Sequence, residues 1–484
     1  MAVAETRSAP GRVATNTIAR AAGEVIAKVA SLAFYVVAAR ELGSEDYGAF
    51  IFVLTLAGTL LIGAGFGTEE LVAREVARER GSAGRYLSNV TALKAVTGAV
   101  LLALALAIVL AGGYDADTRL AALLVGLGVA AEVTSKSWHA IFQARERLAL
   151  ISACVILQRT LTAAVGIAWL LAGGGILAAS AAYLLGALAG LVASELAYRR
   201  WTPADRPRPA FADAWALLRG GLPIGVAGLL VVILLKVDIL LLSFLSSDHE
   251  VGIYGAAYRL IEGTQFIPWA FGAAMLPWLA RTAQPARGYM LGLKLEAAVL
   301  APLALVALCF AAPIIDTLYG EEFADGAVPL ALLAPTIAFY GLQSLSSTVL
   351  IARDAPGVFM RVAGVVAVQN IACNAVAIPL WGADGAAAVA LSSSVLLATL
   401  SITFAARRAG GLAPVRAFGG VALAGAALAA VALLAPLPAL VAAVLALLAY
   451  AGVLAAYELA LHREDVRTYL NALPSRFRRG PAAA

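Results

Sequence analysis

The chain has 484 residues, of which 62% are hydrophobic and only 13% charged, and its mean hydropathy is +0.88. That is more apolar side chain than a soluble core can enclose, so the composition excludes a soluble globular protein and points to an integral membrane one. The net charge of +5 is divided among short junctions rather than gathered on one folded face, which excludes a nucleic-acid surface.

Residues 1–17 show no small-residue cleavage site behind a short apolar core, and no removable signal peptide is expected. Beyond them, apolar runs of roughly 20 residues or more exclude a barrel of alternating strands and predict helices that satisfy their own backbone hydrogen bonds. Fourteen spans are predicted, at about 17–39, 47–67, 87–111, 118–141, 148–171, 176–198, 215–245, 250–279, 289–317, 327–351, 358–380, 385–406, 416–434 and 437–460. Alternate junctions hold nearly all the basic residues, among them Arg74, Arg78, Arg80 and Arg85, then Arg145 and Arg147, Arg199 and Arg200, Arg407 and Arg408. By the positive-inside rule both termini are cytoplasmic in a multi-pass protein of the cytoplasmic membrane, which requires an even number of spans. The tail arginines Arg476, Arg478 and Arg479 are expected to lie against anionic lipid head groups.

The second half repeats the first. Tyr47-Gly48-Ala49 returns as Tyr254-Gly255-Ala256 and Arg74 as Arg281, both 207 residues on; one residue later in register, Ala144-Arg145-Glu146 returns as Ala352-Arg353-Asp354. A duplicated unit with six spans between equivalent junctions enters the membrane twice in the same direction. The expected fold is therefore an all-α membrane protein of fourteen transmembrane helices, in two parallel six-helix lobes plus a C-terminal helix pair. The divisions fall at 1–210, 211–409 and 410–484. Between Phe418 and Tyr457 the last pair has no Asp, Glu, Lys, Arg or His and is expected to face lipid.

Ions inside the spans are the candidate site. Arg20, Glu24 and Lys28 follow at i, i+4 and i+8 and form one stripe on the first span. Each ion near a helix centre costs about 2.5–3.5 kcal/mol, while each Leu, Ile, Phe or Val returns only about 0.3–0.6, so the stripe is expected to face a polar cavity. Arg159 lies near the middle of span 5, Lys236 and Asp238 deep in span 7, and Arg259 and Glu262 on one face of span 8. Cations at every depth suit an anionic head group crossing the bilayer, because phosphate can exchange one Arg or Lys partner for another. A reading as structural ion pairs that lock helix packing stands beside this one. Lys94, Glu132 and Lys136, nearer the cytoplasmic ends, are expected to snorkel. Gln343, Gln369, Asn370 and Asn374 are candidate sugar contacts, with interhelical hydrogen bonding as the alternative. Gly173-Gly174-Gly175 lacks a following Lys-Ser/Thr and reads as a tight turn. Cys154, Cys309 and Cys373 are expected to be small buried apolar residues, and the three histidines share no helix, so no metal site and no cofactor are expected.

Several junctions carry a family resemblance. Ala39-Arg40-Glu41-Leu42-Gly43 through Asp46-Tyr47-Gly48, Leu71-Val72-Ala73-Arg74-Glu75-Val76-Ala77-Arg78, Val251-Gly252-Ile253-Tyr254-Gly255-Ala256-Ala257-Tyr258, Leu318-Tyr319-Gly320-Glu321-Glu322-Phe323 and Trp381-Gly382-Ala383-Asp384-Gly385 resemble Wzx-type polysaccharide flippases over nearly the whole chain. That family belongs to the multidrug/oligosaccharidyl-lipid/polysaccharide exporter (MOP) superfamily. The resemblance implies MATE-like lobes around a central cavity, alternating access, and a polyprenyl-pyrophosphate-linked oligosaccharide as substrate. Glycan polymerases and glycosyltransferases are the partners it implies. It also matches Arg20, Lys28 and Arg259 to the cavity cations of the lipid II flippase; the absence of a basic residue in span 2 departs from that flippase and favours an exported glycan. Glu24, Asp238 and Glu262 are the candidates for coupling to H+ or Na+. The alternatives are a cation-coupled multidrug extruder, a lipid II flippase and, remotely, a membrane glycan polymerase or ligase, for which the outer loops are too short. The expectation is a transporter and not an enzyme.

Overall fold

The computed structural model describes residues 9–65, 67–79, 82–201, 210–281 and 284–472. All regular structure among them is helical: α1 (Ala9–Ile62), α2 (Thr68–Arg78), α3 (Ala83–Ala111), α4 (Ala116–Ala144), α5 (Leu148–Leu171), α6 (Gly175–Trp201), α7 (Phe211–Leu245), α8 (Asp248–Glu262), α9 (Phe266–Arg281), α10 (Pro285–Cys309), α11 (Ala311–Tyr319), α12 (Ala327–Leu333), α13 (Thr336–Ala352), α14 (Pro356–Ala409), α15 (Pro414–Leu434), α16 (Ala439–Leu461) and α17 (Arg463–Ala472). Ten helical stretches among the described residues are long and apolar enough to cross a membrane. Two of these, α1 and α14, hold two spans each, folded at Gly43 (φ 73°) and Gly382 (φ 52°). With α7 and the broken pair α8/α9 the crossings number fourteen, in the order the sequence predicts.

The differences lie at the breaks. Span 8 stops at Glu262 and resumes at Phe266, and span 9 ends at Cys309 before the short α11. Residues 68–78, which read as a polar junction, form the amphipathic helix α2, because Leu71, Val72 and Val76 bury one face while Arg74 and Arg78 stay outside. The three glycines at 173–175 make the turn between α5 and α6, with Gly173 and Gly175 at positive φ. Cys154 is buried, but Cys373 is exposed on α14, contrary to the expected burial, because that helix presents it outward. The tail arginines expected at the lipid surface lie outside the described residues.

The helices group into two compact units. The first holds the described residues up to Gly263 together with Leu318–Asp325 and Ala367–Ala386; the second holds Thr264–Thr317, Gly326–Val366 and the described residues from Ala387 on. In the first, α1 packs on α5 and α8, and α6 on α4 and α5. In the second, α10 packs on α13 and α15, and α15 on α16. Ala424, Leu428, Ala446 and Tyr450 make the seam of the last pair, while Leu433, Leu434 and Leu440 point outward at 74–79% exposure, as a lipid-facing pair requires.

Candidate functional site

The first unit contains a polar cavity of about 270 Å³. Helical spacing builds its wall: α1 supplies Glu24, Lys28 and Tyr35, α4 supplies Glu132 and Lys136, and α5 supplies Arg159, each set recurring every three to four residues on one face. Tyr183 of α6, Lys236 of α7, and Arg259 with Glu262 of α8 complete it. A second cavity, of about 400 Å³, shares Glu24 and Lys136 and adds Glu69, Glu70 and His139.

Most of these ions are matched. Glu262 accepts from Lys236 Nζ at 2.7 Å and from Arg259 Nη1 at 2.6 Å, so one carboxylate holds two cations. Each cation also lies over a ring, Lys236 at 4.5 Å from the centroid of Tyr258 and Arg259 at 4.2 Å from that of Tyr35, an arrangement that favours positive charge. Glu132 accepts from Arg159 Nη2 at 3.1 Å, Gln158 Nε2 at 2.9 Å and Tyr183 Oη at 3.0 Å. Among the described residues, neither Lys28 nor Lys136 has a carboxylate within ion-pair distance. Five cations and three carboxylates line the cavity, a formal excess of two positive charges.

The structure therefore brings Glu24, Lys28, Arg159, Lys236, Arg259 and Glu262 to one cavity. The Arg20 side chain lies outside the described side chains. Asp238 is buried outside the cavity lining and accepts a hydrogen bond from Tyr254 Oη. Gln343 is buried on α13, Gln369 is half-buried on α14, and Asn374 Nδ2 donates to Asn370 Oδ1 at 3.0 Å; none of the four borders the cavity. The expected snorkelling of Lys94, Glu132 and Lys136 is corrected. Lys94 is 3% exposed and donates to Glu69 Oε1 and the Val133 carbonyl, both at 2.8 Å. For Lys94 and Glu132, internal partners within reach make burial cheaper than stretching to the surface, while Lys136 borders both cavities instead. Glu132 and Lys136 are thus site residues that the sequence reading passed over, although they repeat the i, i+4 acid–base spacing of Glu24 and Lys28.

The Gly43 end of this unit is tightly closed. A Cβ on Gly48 would lie 1.8 Å from the Asp248 carbonyl oxygen, and one on Gly252 would lie 2.0 Å from that of Ser44, so α1 and α8 cross with backbones in contact. Ser44 donates through N and Oγ to Glu322 Oε1, at 2.6 and 2.9 Å, and pairs with His249 Nδ1 at 2.7 Å. Glu250 accepts from Ala383 N at 2.6 Å. The repeated Tyr-Gly-Ala segments thus lie on the two helices that cross here, with Tyr47 and Tyr254 both fully buried.

A family model described as "Polysaccharide biosynthesis protein" matches residues 13–283. Among solved structures, the lipid II flippase MurJ in an inward closed conformation superposes with a TM-score of 0.77 at 14% identity, covering 92% of this chain and 99% of that one. An inward-facing multidrug resistance MATE family transporter of the MOP superfamily gives 0.63 at 15% identity, covering 81% and 98%. An outward-facing one gives 0.58 at 14%, covering 82% and 95%. No curated protein matches the chain. These identities carry the fold and leave the cargo to the site. With more than half its length matched by the family model, the chain belongs to the polysaccharide biosynthesis protein family, on the helical fold that MurJ shares with MATE transporters.

Proposed function

We propose that the protein translocates a polyprenyl-pyrophosphate-linked oligosaccharide across the cytoplasmic membrane by alternating access. The observation that supports this most is the charge of the cavity: an excess of two cations complements a pyrophosphate diester, whose phosphate groups carry about two negative charges near neutral pH. In this reading the duplicated lobes, 1–210 and 211–409, rock about the site. Lys28, Lys136 and Arg20 receive the pyrophosphate from the cytoplasmic side, and it passes towards Lys236 and Arg259. The Gly43 end is the outer one, and its packing blocks exit in this conformation. The prenyl chain stays in lipid beside α15 and α16. Outward movement of negative charge is favoured by an inside-negative potential, by about 2.3 kcal/mol per charge per 100 mV. Glu24, Glu262 and Asp238 are the carboxyl groups available to bind H+ or Na+ on the return.

A carrier of cationic drugs requires the opposite balance of charge. A lipid II flippase shares the pyrophosphate chemistry and differs in the glycan. Proteoliposomes separate these readings: fluorescent polyprenyl-pyrophosphate glycan, polyprenyl-monophosphate glycan and lipid II are each assayed for translocation. The proposal expects the first to move fastest, and the monophosphate to move at least about tenfold more slowly for want of one charge, about 1.4 kcal/mol per decade. Equal rates for mono- and pyrophosphate would overturn it, and faster transport of lipid II would reassign the glycan.

A further inference from the structure

The second unit holds a carboxyl group that no ion pair explains. Glu296 of α10 is 2% exposed, and both its Oε1 and Oε2 lack a hydrogen-bond partner. It packs against bare backbone at Gly341 of α13, where an added Cβ would lie 3.7 Å from its Cδ. Eleven residues into its helix, it is about 16 Å from the Pro285 end, near the middle of the membrane. The surrounding elements bring no charge to it. On α10 itself, Tyr289 Oη is engaged with Ser346 Oγ of α13 at 2.7 Å, and Lys294 is engaged with Glu458 and Asp465. Of the elements packed on α10, α12 has no ionisable residue, α13 brings Tyr340, and α15 brings Arg416, which is held by Asp465. Helix α16 brings Tyr450, whose Oη donates to the Ala298 carbonyl, with Tyr457 and Glu458 at its far end. Helix α9 carries only Arg281, whose side chain lies outside the described side chains.

A bare carboxylate so placed is strongly disfavoured, and a carboxyl in that setting is neutral. We propose that Glu296 is a proton-binding site in the membrane, occupied in this conformation and emptied when α10 and α13 separate enough to admit water. On release the O–H bond breaks, its electron pair stays on the carboxyl oxygen, and the proton passes to water. Proton occupancy therefore favours the packed α10–α13 arrangement, and raising the pH favours its opening. Coupling of this event to cargo rests on the transport reading above; the proton site itself does not.

Infrared difference spectroscopy on the purified full-length protein at neutral pH tests the site. Subtracting the spectrum of Glu296→Gln from that of the wild type is expected to leave one protonated-carboxyl C=O band, lost equally in Glu296→Met. A carboxylate band in its place, or no band, overturns the site. Flipping measured across pH tests the coupling: the wild-type rate is expected to change with pH and the Glu296→Gln rate to stay flat. The same pH profile in both overturns the coupling. A protein that moves no pyrophosphate-linked glycan at all leaves the infrared result unchanged, so failure of the transport reading and failure of the proton site are told apart.

Discussion

The two units use the same residue types to opposite ends. In the first, five cations meet three carboxylates around an open cavity, and Lys28 and Lys136 keep their charge unmatched. In the second, Lys294 and Arg416 meet Glu458 and Asp465 with no excess. Lys294 pairs closely with Glu458 and donates to Asp465 Oδ2 at 3.1 Å, while Arg416 Nη2 donates to Asp465 Oδ1 at 2.9 Å. This cluster ties α10, α15 and α16 to the amphipathic α17. The contrast teaches that a charge inside a membrane protein marks a ligand site only when it is both reachable and unbalanced; a balanced, enclosed set marks a joint.

The largest effect expected from that contrast is on the joint. Asp465 is fully buried. Burial alone would raise its carboxyl, but the hydrogen bonds and charges of Lys294 and Arg416 prevail and hold it below the ordinary carboxylate range. Asp465→Asn leaves Arg416 without a carboxylate and Lys294 with Glu458 alone, and is expected to lower stability by about 3 kcal/mol, read as a drop in thermal unfolding midpoint, with cargo preference unchanged. Because the folded-state value is depressed, Asp465 contributes stability above its unfolded value, and that contribution is lost as the pH falls through the folded one. The wild type should therefore lose more thermal stability on acidification than Asp465→Asn does. Equal pH dependence would show that the cluster is not the joint described.

A smaller effect, on transport rather than stability, is expected where the first unit must open and close. Gly48→Ala places a methyl group against the Asp248 carbonyl, which the packed crossing cannot absorb. Flipping is expected to fall at least about tenfold, because the Gly43 end no longer closes. The matching control is Gly58→Ala: Gly58 borders the same cavity, but an added Cβ there meets nothing within 4 Å, and the rate is expected to stay within about a factor of two. Equal losses in both would show that glycine content, and not the crossing, matters.

Much of the fold was legible because period and composition act locally. Long apolar runs, polar breaks and the 207-residue repeat gave the fourteen crossings and their order. The candidate site was half legible. Spacing on single helices found Glu24, Lys28, Arg259 and Glu262, but which ions share a cavity depends on how helices distant in sequence are packed. Thus Glu132 and Lys136 were placed at the surface when the structure lines the cavity with them, and Asp238 was grouped with a cavity that it does not border. The repeated Tyr-Gly-Ala segments signalled duplication, yet nothing in either copy says that the two copies cross backbone to backbone. Helix α2 was missed for a related reason: its mean polarity resembles a loop, and its apolar face acquires meaning only against the helices that cover it.

The central claim, that the unmatched lysines hold a pyrophosphate, is tested most directly by the double variant Lys28→Ala/Lys136→Ala in the proteoliposome assay, with thermal stability followed in parallel. Neither lysine takes part in an ion pair among the described residues, so stability is expected to stay within about 0.5 kcal/mol. Transport of the pyrophosphate-linked glycan is expected to fall by about two orders of magnitude, one for each lost charge-assisted contact. Full transport by a variant of wild-type stability would contradict the account.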